Sequence, residues 1–304
     1  MSRRAALRGI GLGAITIPIV GCSGVQLAAI DAGGAETDAA ATDAFLGADG
    51  AATDAALASG WASGGTAAMT GAASYPDPFG ALPTVCEATC EMTLGPCHSS
   101  SQVRKDVSEG YPGLPVRLAL RILDTSCQPV EGATVEIWHT RNSGLYSGTD
   151  DTGEFNVGFC TGNDADAQAH HYFRGIQTTD ANGRVDFDTC FPGWYSSRAI
   201  HIHFIVAIGT DRYLISQLFF PQDVIDEIFA SHPDYESFGA PDTTNTTDSV
   251  LGSTDATDYI VDIARMSDGA MLASRTIFVR ASTSETVCSV GGGGGGMGMP
   301  PAMP

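Results

Sequence analysis

Basic residues are scarce. The 304-residue chain has 15 Lys and Arg against 35 Asp and Glu, a formal charge of −20. Such a balance gives no electrostatic footprint for nucleic acid or for an anionic membrane surface. No apolar run is long enough to span a bilayer as a mature helix. No Lys or Arg occurs between Arg8 and Arg104, and residues 23–80 are mostly Ala, Gly, Thr, Ser and Asp. With so few large apolar side chains that stretch cannot offset its ordering entropy, which predicts a disordered acidic tether. What remains is enough for one folded domain, expected over 81–285.

What is present begins with a targeting segment, residues 1–22. Arg3-Arg4 and Arg8 precede an apolar run from Gly9 to Val20 and then Gly21-Cys22, the layout of an export signal. The paired arginines suggest twin-arginine export. Ile19-Val20-Gly21-Cys22 resembles a bacterial lipoprotein box, which implies acylation at Cys22; the alternative is an ordinary secretory signal cut nearby. The expected location is the bacterial cell envelope, lipid-anchored, or the extracellular space. That N-terminal lipid is the one membrane contact expected, and the tether would space the domain from it. The Gly-, Met- and Pro-rich residues 286–304 are expected to form a flexible tail.

Export decides how the cysteines are read. With Cys22 set aside, Cys86, Cys90, Cys97, Cys127, Cys160, Cys190 and Cys288 remain. Seven allow three disulfides and one thiol, with the pairing left open. Cys86-x3-Cys90-x6-Cys97-His98 has the look of a zinc cluster, yet an oxidising compartment and irregular spacing favour disulfides.

Alternation marks the strands. Val116, Leu118, Leu120 and Ile122 alternate with Arg117, Ala119 and Arg121, a half-buried pattern. Further strands are expected over 133–139, 184–188, 199–208, 212–220, 259–265 and 270–281, with 149–172 and 233–258 as polar loops. Pro221 to His232 is the one helix expected, with Val224, Ile225, Ile228 and Phe229 as its apolar stripe. Many short strands and one short helix predict an all-β sandwich of mixed strands with long loops.

The stretch Phe191 to Phe204 carries the chemistry. Pro192-Gly193 is a turn, and a strand follows it. Side chains two apart share a face, so His201 and His203 point one way while Ile200, Ile202 and Phe204 point the other. Two imidazoles on a rigid strand, with the phenol of Tyr195 on the turn before them, form a metal-ligand pattern. Alone, His-x-His is more often a hydrogen-bonded pair, and Tyr146 within Gly-Leu-Tyr-Ser-Gly is more often a turn aromatic. Trp138 and Trp194 read as core residues. Adjacent His170 and His171 face opposite ways on an extended chain and make no paired site; His139 is also left out.

Taken together, several blocks resemble the intradiol ring-cleavage dioxygenases, the class of catechol and protocatechuate 3,4-dioxygenases. They are Val135-Glu136-Ile137-Trp138-His139, Gly144-Leu145-Tyr146-Ser147-Gly148, Arg174-Gly175-x-Gln177-Thr178-Thr179-Asp180, the Phe191–Phe204 stretch and Ser216-Gln217-Leu218-Phe219-Phe220. The resemblance covers about residues 90–282. It implies a mononuclear Fe(3+) held by Tyr146, Tyr195, His201 and His203. It also implies a catechol-type substrate, O2 as co-substrate, and ring opening between the hydroxyl-bearing carbons to give a muconate-type diacid. Tyr195 would serve as general base, with Arg198 and Gln217 stabilising negative charge on the substrate. The charge count suits this set: ferric iron favours anionic oxygen, and two tyrosinates plus a hydroxide cancel its three charges, which keeps a buried site neutral.

The chain departs from cytoplasmic members of that class. The Tyr195-to-His201 spacing is short, Ala199-Ile200 stand where Pro-Ala is more usual, and the cysteines are extra. No part of this sequence is expected to form the large N-terminal helical dimerisation region of the catechol 1,2-dioxygenases. The particular catechol and the oligomeric state stay open. Two rival readings are a non-catalytic secreted β-sandwich binding module and a zinc or copper protein using His201 and His203 with a carboxylate.

Overall fold

The computed structural model describes residues 60–291. The alternating runs form two four-stranded sheets, the all-β sandwich expected. Pro115–Asp124 (β1), Arg184–Cys190 (β4), Asp262–Arg265 (β7) and Met271–Val279 (β8) build sheet one in the order β4-β1-β8-β7. Its β1–β8 pair is parallel and its other pairs antiparallel. Thr134–Trp138 (β2), Arg174–Thr178 (β3), His201–Ile208 (β5) and Asp211–Phe219 (β6) build sheet two, wholly antiparallel in the order β3-β2-β5-β6.

The core lies between the sheets. Val116, Leu118, Leu120 and Ile122 on β1 share it with Val135, Ile137, Ile202, Phe204 and Leu218 on sheet two, all buried. Each such side chain contributes roughly 1.5–3 kcal/mol by leaving water. Gln222–Ser231 (α3) adds Val224, Ile225, Ile228 and Phe229 to the same core, as its stripe predicts.

Four features differ from expectation, each for a physical reason. First, Val157–Thr161 (α1) and Ala165–Ala169 (α2) stand where a polar loop was expected. Each is about one turn, too short for a hydrophobic period, and is held by a cap: Asn156 accepts from Phe159 N and Asp164 from Ala167 N. Second, β3 is an edge strand with one large apolar residue, Ile176. Pairing with β2 rather than its own pattern makes it a strand.

Third, β1 is buried on both faces, because residues 60–80, expected within the tether, lie across its outer side. Arg121 reaches Gly80 O at 2.9 Å and the Phe79 ring at 4.8 Å, and Arg117 packs on Tyr75. Trp61 Nε1 donates to Glu227 and Tyr75 OH to Asp268, and Gly65 N donates to Gly113 O. Residues 60–80 therefore belong to the packed domain. Fourth, the domain continues past 285, because Cys288 is bonded to Cys90 and Val290 N donates to Glu91 O. The export signal, residues 23–59 of the expected tether and residues 292–304 of the expected tail lie outside the described residues.

Among the described residues three disulfides and one thiol are present, as the cysteine count predicts: Cys86–Cys127, Cys90–Cys288 and Cys97–Cys160, with Cys190 free and buried. Among the described residues no helix is long and apolar enough to cross a membrane.

Candidate active site

The site grows out of strand alternation. On β5, Ile202 and Phe204 enter the core between the sheets, so His201 and His203 emerge on the outer face of sheet two. Register then carries a row across that face: Arg174 pairs with Trp138, Trp138 with His203, and His203 with Gln217. The Trp138 indole stacks flat on the His203 imidazole, 4.8 Å between centroids and 7° between planes. A core residue by burial, Trp138 thus also fixes the orientation of a site histidine.

Two loops bring the phenols to this face. Gly144 has φ +80°, and a Cβ there would collide with the Trp194 carbonyl; at Gly193 a Cβ would collide with the Arg141 and Asn142 carbonyls. Glycine at both positions lets the loop after β2 lie directly on the Pro192-Gly193 turn. Thr140 Oγ1 donates to Gly193 O at 2.7 Å and Gly193 N to Arg141 O at 3.2 Å, which stitches the loops together. Tyr146 and Tyr195, 49 residues apart, thereby come to 3.4 Å between hydroxyl oxygens. The Cys97–Cys160 disulfide backs the first loop, because Cys160 O accepts from Tyr146 N at 2.8 Å.

The four predicted donors converge. Tyr146 Oη lies 3.2 Å from His201 Nε2, Tyr195 Oη 3.3 Å from the same nitrogen, and His203 Nε2 3.1 Å from it. Tyr146, His201 and His203 are buried, and Tyr195 is half-buried. His201 Nδ1 donates to Ala199 O at 2.6 Å, which leaves its Nε2 lone pair facing the cluster. Burial first, then the Arg198 charge, pushes His201 down to about 3; burial and then His201 hold His203 well below the usual imidazole range. Both rings are therefore neutral acceptors. Burial and the neighbouring Tyr195 push the Tyr146 phenol up, so without a cation this site keeps its proton.

Arg198 and Gln217 lie beside the cluster, Gln217 paired in register with His203. Arg198 donates to Gln217 Oε1, and Gln217 Nε2 donates to Thr93 O at 3.1 Å. Burial acts to lower the guanidinium pKa, but Tyr195 and Asp248 outweigh it and hold the group charged. Asp248 was not foreseen. Its Oδ2 accepts from Arg198 Nε at 2.9 Å and Ala199 N at 2.7 Å, and its Oδ1 accepts from Val250 N and Leu251 N. It sits in the long polar loop 233–258, where a lone acid among many carries no local signal. His139 is a buried structural residue bonded to Thr189 Oγ1 and Thr140 O, and His170 binds Asp166 away from the site.

The donor chemistry fits a ferric ion. A second neutral imidazole and two phenolic O–H groups surround His201 Nε2, and metal loading would exchange phenolic protons for a hard cation. His203 Nδ1 is buried with no partner. Among the described residues no group of three or more His, Cys, Asp and Glu side chains converges, so a zinc or copper site completed by a carboxylate finds no carboxylate here.

An antiparallel face bearing two phenols, two imidazoles and a paired arginine is the candidate site of this β-sandwich. Residues 92–258, more than half of the chain, match the profile of a family described as Dioxygenase. The chain is 31% identical over 108 residues to catechol 1,2-dioxygenase 1 of Acinetobacter lwoffii (30% of each chain), and 29% identical over 156 residues to catechol 1,2-dioxygenase of Acinetobacter baylyi (45% of this chain, 46% of the relative). It spans less than half the length of these curated relatives. An intradiol ring-cleavage dioxygenase from Tetranychus urticae superposes with a TM-score of 0.56 at 26% identity, over 64% of this chain and 95% of that one. The chain belongs to the intradiol ring-cleavage dioxygenase family.

Proposed function

We propose that this protein is an iron(III)-dependent dioxygenase. It opens catechol-type diols between their two hydroxyl-bearing carbons and incorporates both atoms of O2 into a muconate-type diacid. One observation carries the reading: the Tyr146 and Tyr195 hydroxyls and His203 Nε2 each lie 3.1–3.3 Å from His201 Nε2, with the two hydroxyls 3.4 Å apart. Tyr146, Tyr195, His201 and His203 would hold the Fe(3+). When bound, that ion supplies a Lewis-acidic centre that makes the chelated diol reactive toward dioxygen. The names of the two Acinetobacter relatives support a catechol as substrate.

The chain's own residues divide the remaining work. Tyr195 sits on the turn and is half-buried; its phenolate takes a proton from one substrate hydroxyl as general base. Tyr146, behind it and 2% exposed, stays in place. Arg198, fixed by Asp248 and Gln217, holds its positive charge where the diol ring becomes negative. Burial of the cluster keeps bulk water away from the opened ring. Residues 1–22 support export with the domain tethered at the envelope, so the substrate would be a diffusible aromatic diol met outside the cytoplasm.

The test is to load the purified chain with ferric iron. A visible phenolate-to-iron charge-transfer band is expected, weakened in Tyr146→Phe and Tyr195→Phe. Oxygen uptake with substituted catechols and hydroxyquinol, followed by product mass, reads the activity. A colourless loaded protein would sink the ligand assignment, and a coloured one that consumes no oxygen with any diol would leave a metal-binding relic.

A further inference from the structure

Three arginines are buried among the described residues: Arg117, Arg174 and Arg198. Two are matched by acids, Arg117 by Asp188 and Arg198 by Asp248. Arg174 is not. It stands at the β3 end of the row that runs through Trp138 and His203 to Gln217, and it is fully buried. Its Nε donates to Ser147 O at 2.8 Å and one terminal nitrogen to Cys97 O at 2.7 Å; the other terminal nitrogen has no partner. No carboxylate lies within 4.0 Å of it. The guanidinium carbon sits 5.5 Å from the Phe155 ring centroid and 6.0 Å from that of Tyr146.

The two hydrogen bonds tie the Tyr146 loop to the Cys97–Cys160 disulfide. Tying alone does not need a charge, since a neutral amide donates to carbonyls without the desolvation that an unmatched buried cation suffers. Glu136 and Asp151 favour the charge from beyond ion-pair distance, but Tyr146, once a phenolate, would favour it more than either, and the guanidinium lies over its ring.

We propose that Arg174 is a positioning residue of the metal centre: its fixed charge is the counter-ion of the Tyr146 phenolate and steadies the electron pair which that oxygen donates. The proposal rests on Tyr146 being a ligand. A cation held on the donor side lowers the phenolate's donor level, so its charge-transfer band falls at shorter wavelength than it otherwise would.

The test uses the full-length chain loaded with ferric iron, with iron stoichiometry and circular dichroism recorded beside the visible band. Arg174→Met should move the band to longer wavelength with iron still bound. Arg174→Lys, which keeps the charge and loses the fork, should stay near the wild-type position. Because Arg174→Met can fail to fold, a second route leaves Arg174 untouched: Phe155→Glu sets a carboxylate against the guanidinium and should shift the band the same way, while Phe155→Leu should not. A wild-type band position in folded, loaded Arg174→Met or Phe155→Glu overturns the proposal. So does an equal shift in Arg174→Lys, which would assign the effect to the clamp. A wild-type protein with no band overturns the ligand reading together with this one.

Discussion

Both sheets have an outer face covered by irregular chain, and the two covers solve different problems. On sheet one, residues 60–80 lie over Arg117 and Arg121, and both arginines are matched: Arg117 finds Asp186 and Asp188, and Arg121 finds Thr276 Oγ1 and Gly80 O. On sheet two the loops seal in groups that are not matched. Arg174, Trp138 and His203 are successive neighbours in one row, and each has a buried nitrogen without a partner. Native proteins satisfy most buried polar atoms. Satisfied burial on the first face therefore reads as architecture, and unsatisfied burial on the second reads as a site prepared for something else.

That contrast can be broken or sharpened by mutation. The largest effect is expected at a donor. His203→Ala should lower iron affinity by more than the roughly 10–100-fold that outer partners of a metal site cost, and abolish oxygen uptake; iron analysis and an oxygen electrode check it. Arg198→Ala should leave iron bound and lower kcat by about 10²–10³-fold, as loss of one charge-stabilising group does. Steady-state kinetics on the loaded enzyme read that split.

A smaller effect links cover and site. The Cys97–Cys160 bridge closes 63 residues, so replacing both cysteines by Ser should cost about 4 kcal/mol by loop-closure entropy, seen in urea unfolding. It should also weaken iron binding, because Cys160 O carries the Tyr146 amide. On sheet one, Phe79→Ala removes a cation–π contact to Arg121 and should cost about 1 kcal/mol. The charge-transfer band should not move. A shifted band there would mean that the two covers are coupled.

The smallest effect is a pH dependence at the rim of the sheet-two cover. Burial raises the Asp151 pKa, but hydrogen bonds from Ser100 and Ser99 outweigh it and pull the carboxyl down to about 2. A depressed carboxylate adds stability that is whole above its ordinary value of about 3.9 and is lost as pH falls toward the folded value. Asp151→Asn should therefore lower stability slightly at neutral pH, converge with the wild type near pH 2, and so flatten the acid limb of the unfolding curve between about pH 4 and 2. An unchanged acid limb would show that the loop is held by its other bonds.

Much of the molecule was legible in the chain. Period-two runs named seven of the eight strands, because a sheet that buries one face must alternate. The histidine-bearing strand was plainest, with Ile202 and Phe204 assigned to the core and His201 and His203 to the other side. Elements without a pattern were not legible. β3 carries only Ile176 as a large apolar side chain, α1 and α2 are one turn each, and residues 60–80 have the composition of a linker and are ordered by Arg117, Arg121 and Asp268 from elsewhere.

By itself, the order of residues determined the strand periods, the helix stripe, the three-plus-one cysteine count and the two histidines on one face, since all of these are local or a matter of counting. Only the tertiary structure decided that Gly144 and Gly193 bring Tyr146 within 3.4 Å of Tyr195, that Asp248 holds Arg198, and that Arg174 is a buried charge without an acid. Such pairings are set by sheet register and by loops closing over a face, and neither leaves a mark within a few residues of the groups it joins.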